Sequence, residues 1–106
     1  MPKFMVHGSY TAEGLKGLLK EGGTGRRKAV ESAVKSMGGS LEAYYFAFGE
    51  ADVVTIVDVP DNVTAAALAI GIASTGTVGL KTTVLMTPEE VDQATRKTLS
   101  FRAAGQ

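Results

Sequence analysis

His7 is the only histidine in the chain, and with a set of scattered carboxylates it provides the candidates for proton chemistry. An unperturbed imidazole titrates near neutrality, which suits it to moving a proton at physiological pH. A general base also needs a neighbour that orients its ring. Asp58, at the end of a β-branched run, and Asp52, in the turn before that run, are the carboxylates placed to do so. His7, Asp58 and Asp52 are therefore the candidate catalytic set. The competing reading of a single strand histidine is a hydrogen-bonded packing residue. One histidine with dispersed acids makes a poor metal site, and no metal or other cofactor is expected.

Two further stretches carry binding chemistry. Gly22–Lys28, GGTGRRK, sets glycines before three cations where a helix resumes, a place where an anion can bind. Its spacing is not that of a phosphate-binding loop and it follows a helix, so a solvated loop is the plainer expectation. Tyr44, Tyr45, Phe46 and Phe48 put aromatic rings on both faces of one strand, where they pack or line a pocket. Tyr45, Thr55 and Arg26 are the candidate ligand-binding residues.

The elements that position these groups follow from local signals. Lys3–Tyr10 reads as a strand. Thr11 is a candidate cap for a helix striped by Leu15, Leu18 and Leu19. Gly14 and Gly17 should weaken that helix by roughly 1 kcal/mol each. Glu21–Gly25 should break it, Arg26–Met37 resume it, and Gly38-Gly39 end it with a left-handed cap. Ser40–Phe48 and Val53–Val59 form a hairpin whose tight turn, Gly49–Asp52, combines a permissive glycine with a capping Asp. Pro60 stops the strand and Asp61 caps a second helix running to Ser74, with Gly76 just beyond it. Val78–Met86 is the last strand. Thr87-Pro88-Glu89-Glu90 opens a final helix reaching about Leu99. Residues 1–99 read as a single domain and residues 100–106 as a frayed tail.

This order is the ferredoxin-like βαββαβ plan of an α+β domain, with an added C-terminal helix and a four-stranded antiparallel sheet. Strands 1 and 3 are read as parallel neighbours at its centre, which would bring Asp58 towards His7. Both helix layers lie on one face. The open face is expected to show Met5, His7, Thr55 and Val57, with some of Tyr45, Lys81, Thr83 and Leu85. Such a face is too apolar for water, so a homo-oligomer, dimeric or higher, is expected, associated as in dimeric α+β barrels.

Composition closes other routes. Among 106 residues, eleven basic and eleven acidic side chains cancel, so no global field draws the chain to nucleic acid. RNA-binding domains of this topology also need aromatics on strand 3, which here is VVTIVDV. Cysteine is absent, which removes disulfides, thiolate metal sites and a cysteine nucleophile. No apolar window is long enough to cross a membrane. A cytoplasmic protein without nucleic-acid or membrane partners is expected.

At the hairpin, FGEADVV and the following IVDVPD resemble the GYD-domain family of small α/β proteins. The likeness extends over Tyr10-Thr11, the Gly38-Gly39 break, the alanine-rich helix from Ala65, and Gly76, and so over most of the chain. Ala51 stands where the family's name-giving tyrosine usually sits, and Asp58 where glutamate is common. The resemblance implies a ferredoxin-like, oligomer-forming fold and transfers no activity. Two functions fit: a homo-oligomeric module holding a small molecule at the sheet–helix or subunit interface, or a cofactor-independent enzyme using His7 as acid/base.

Overall fold

The computed structural model describes residues 1–106. Seven elements follow one another: β1 (Lys3–Tyr10), α1 (Ala12–Ser36), β2 (Ser40–Phe46), β3 (Val53–Asp58), α2 (Asn62–Ala73), β4 (Val78–Val84) and α3 (Pro88–Thr95). The sheet order is β2-β3-β1-β4, and all three pairings are antiparallel. This is the ferredoxin-like α+β arrangement.

The expected parallel pairing of β1 with β3 is not found. A right-handed crossover through α1 makes β2 run with β1, and the hairpin then turns β3 against both. In the antiparallel register His7 lies opposite Val54, whereas Asp58 lies opposite Lys3 at the far end of the strands.

Register also decides which residues face the helices. Phe4, Val6 and Gly8 pair with Val57, Thr55 and Val53, and all six lie under the helices. Phe4, Val34 of α1, Val57, Val59 and Ala65 of α2 make the core. Thr55 and Val57 are thus buried, and the expectation that they occupy the open face is corrected. Their neighbours Val54 and Ile56 stand there instead, beside Met5, His7 and Tyr45. A shift of one residue flips every side chain of a strand to the other face.

The helix ends match their local chemistry. Thr11, Asp61 and Thr87 each accept a backbone N–H three residues on, from Gly14, Thr64 and Glu90. Gly38, at φ 82°, ends α1; its N–H reaches Lys35 O and that of Gly39 reaches Val34 O. This is a Schellman cap. The break in α1 is narrower than Glu21–Gly25. Only Gly22, at φ 77°, leaves helical geometry, so Gly23–Lys28 is helix and not loop. β4 and α3 stop two and four residues short of Met86 and Leu99.

The hairpin connection differs from a tight glycine turn. Ala47 and Asp52 close it through Ala47 N–H to Asp52 O at 2.9 Å. The left-handed residue inside it is Phe48, at φ 56°, and not Gly49. Phe48 stacks on Phe46 with ring centroids 5.8 Å apart, which helps hold this backbone.

Candidate functional site

Two concavities are lined by Arg26, Thr55 and His7 of the expected site. The first lies between the sheet and the helices. Val6 and Thr55 form its floor, Val30 of α1 and Ile72 of α2 its walls, and Tyr10, Tyr44 and Arg26 its polar end. This cavity measures about 50 Å³, and a second of about 30 Å³ adjoins it across Val6, Val30, Thr55, Ile72 and Leu80. Thr55 is buried and donates its hydroxyl hydrogen to Val6 O at 2.8 Å. Its polar atom is thereby satisfied, leaving its methyl to the cavity wall.

Arg26 reaches this end because α1 resumes after Gly22 with its next turn over β2. Its guanidinium donates to Glu21 Oε1 at 2.7 Å across the kink. That bond is the main reason the Arg26 pKa is raised, with the Tyr10 ring a smaller contributor. Tyr44 is held well above the ordinary tyrosine range, first by burial and then by the neighbouring Tyr10 side chain. The phenol therefore stays neutral. It keeps both a donor and an acceptor role. Guanidinium and neutral phenols at the end of an apolar slot suit a ligand with a carbonyl or carboxylate oxygen.

The second place is on the open face. His7, Ser9, Glu50, Gly79 and Lys81 surround a polar cleft of about 200 Å³. His7 lies directly opposite Lys81 in the β1–β4 register and is half-buried, not enclosed in core. Glu50, on the hairpin connection, is the carboxylate of this cleft.

The expected site residues divide between these places. Arg26 and Thr55 meet at the first cavity, and His7 lines the second. Tyr45 is 71% exposed on the open face, so Tyr44, its neighbour in sequence, is the tyrosine at the cavity. Asp52 receives the Tyr10 backbone N–H at 2.8 Å and sends its own N–H to Gly8 O at 2.8 Å, which ties the hairpin to the end of β1. Asp58 is bonded by Lys3 Nζ at 2.9 Å, and the same ammonium holds Glu42 at 2.8 Å. The His7–Asp58 pair does not form: they are four residues apart along the antiparallel register, roughly 13 Å at strand rise. Sequence reasoning missed Tyr10, Tyr44, Glu50 and Lys81 as site residues. Alternation along β1 and β4 carried a signal for Lys81, since it shares a face with His7; nothing local marked Glu50.

The antiparallel βαββαβ sheet, with an apolar cavity beneath it and a polar cleft above, defines a ferredoxin-like α+β domain. The chain belongs to the GYD domain family, whose profile matches residues 4–95. No curated protein and no solved structure matches it. No helix is long and apolar enough to cross a membrane.

Proposed function

We propose that the protein is a homo-oligomeric binding module that holds a small apolar molecule between its sheet and its helices. The observation that supports this reading is the convergence of Arg26, Tyr10 and Tyr44 on one end of an otherwise apolar cavity. The ligand is an apolar, ring-sized molecule bearing a carbonyl or carboxylate oxygen. Its oxygen accepts from Arg26, whose five N–H donors are not all taken by Glu21. The existing volume is small, so entry moves the second half of α1, which Gly22 separates from the first.

The test uses benzoate and acetophenone as probes against methyl-labelled protein. Binding should shift the methyls of Val6, Val30, Ile72 and Leu80 together. Arg26→Met should weaken the carboxylate by about tenfold to a hundredfold, the worth of a charged hydrogen bond. No shift of these methyls with either probe at saturation would overturn the reading.

One observation favours a second reading, an enzyme of the isomerase, lyase or oxygenase type. His7 lines a polar cleft with Ser9, Glu50 and Lys81, where an acid/base residue has access to a substrate. Glu50 then takes the orienting place that Asp58 and Asp52 do not occupy. In that case His7→Ala removes turnover and leaves the assembly intact.

A further inference from the structure

The residues from Pro88 onward open with a regular helix but are not packed. Thr87 and Glu90 complete a capping box at the start of α3, each accepting the other's backbone N–H. Every residue from Pro88 to Gln106 is nonetheless exposed, including Val91, Leu99 and Phe101 at 46%, 80% and 75%. A helix of 8 residues does not hold itself together in water, so it needs a surface to pack on.

The whole chain shows the same excess. Its radius of gyration is 17.0 Å and its long axis 57 Å, whereas a compact chain of this length has a radius of about 13 Å. Its accessible surface is 7258 Å², about 1,600 Å² more than the roughly 5,600 Å² that scaling gives for 11.0 kDa. A standard interface covers about 800 Å² on each partner, and obligate homodimers cover more. The excess is thus of the size that an obligate dimer buries.

We infer that residues 87–106 form an exchange arm: in a homodimer closed over the open sheet face, each protomer's arm lies on its partner. This rests on the homo-oligomer reading above. Area alone fits a second copy, and charge supports it. Glu89, Glu90 and Asp92 occupy the first half of the arm, and Arg96, Lys97 and Arg102 the second. Where the two-fold axis crosses the two arms at right angles, they meet antiparallel. The acidic half of one then faces the basic half of the other. The chain as a whole is neutral, so two copies approach without net repulsion. The open face supplies the apolar floor in half-buried Met5, Val54 and Ile56 and exposed Tyr45.

The test uses the full chain with Phe101→p-benzoylphenylalanine, prepared with natural and heavy nitrogen, mixed, irradiated and analysed by peptide mass spectrometry. Cross-links joining heavy to light chains, from residue 101 to β1 or β3 peptides, are expected. In parallel, Leu99→Asp/Phe101→Asp should weaken the dimer about ten-thousandfold, roughly tenfold for each of the four apolar side chains the two arms contribute. Leu19→Asp, at a residue 87% exposed on α1, should leave it unchanged. A dimer whose cross-links are absent or stay within one chain overturns the arm and leaves the homo-oligomer reading standing. A monomer at all concentrations overturns both. Dissociation by Leu19→Asp places the interface on the helices and overturns the arm.

Discussion

Alanine at Gly14 and at Gly17 should have opposite effects on stability, although both glycines lie in the first half of α1. Propensity alone makes each replacement a gain of about 1 kcal/mol. At Gly17 nothing lies within 4 Å of an added Cβ, so that gain stands. Gly14 is buried where α1 begins, against the connection between α2 and β4. A Cβ there would overlap the carbonyl oxygen of Thr77 and stand 2.8 Å from Tyr10 Cδ1. The carbonyl cannot rotate away, because it accepts the Thr11 N–H at 2.9 Å while the Thr11 hydroxyl donates to Gly76 O at 2.9 Å. Relief requires lifting the start of α1, with an overpacking cost of about 1–3 kcal/mol and a backbone bond worth about 1 kcal/mol. Set against the propensity gain, Gly14→Ala should lose about 2 kcal/mol. The two variants should then differ by about 3 kcal/mol, or some 12–24 °C in Tm at 4–8 °C per kcal/mol. Urea unfolding followed by circular dichroism, at one fixed protein concentration, measures both. A Gly14→Ala variant as stable as the parent would refute the contact between the start of α1 and the Thr77 connection.

Other outcomes follow from single contacts. Asp52→Ala should cost about 1–2 kcal/mol by leaving the Tyr10 N–H without its acceptor, and Asp52→Asn should recover most of it, as urea midpoints will show. Lys3 is raised above 10.5, chiefly by its hydrogen bond to Glu42 and then by Asp58. Its contribution is therefore complete below pH 10.5 and fades as pH rises through the folded value, and Lys3→Met should flatten that alkaline slope. Asp61 is lowered below 3.8 by the Thr64 hydroxyl and N–H, so its contribution is complete above that pH and fades as pH falls through the folded value. Asp61→Asn, which keeps a capping oxygen, should remove the acid dependence. In a spectrophotometric titration, Tyr44→Phe should delete the component that ionises above the ordinary tyrosine range.

Element order, helix starts and helix ends were legible because each rests on contiguous residues. Thr11, Asp61 and Thr87-Pro88 announce helices, and Gly38 and Gly76, both at positive φ, end them. Strand faces were harder. β3, VVTIVD, is β-branched at most positions on both faces, so its alternation does not say which side is buried. Thr55 and Val57 were thereby exchanged with Val54 and Ile56. In β2 the register slips between Leu41 and Ala43, which breaks simple alternation just before the two tyrosines. Tyr45 nonetheless stands on the open face as expected, and Tyr44 turns towards the helices. The direction of β1 against β3 was derivable from crossover handedness and needed no side-chain signal. Glu50 was of another kind, because it reaches its cleft only once the hairpin connection is placed on the sheet.

Native mass spectrometry distinguishes a homo-oligomer that carries a small molecule beneath each sheet from a bare chain. The purified protein is sprayed under conditions stepped from gentle to denaturing. A dimer, or a higher multiple, of the 11.0 kDa chain is expected, holding a small mass that leaves when the fold is lost. A bare monomer at every concentration would contradict both the homo-oligomer and its bound molecule.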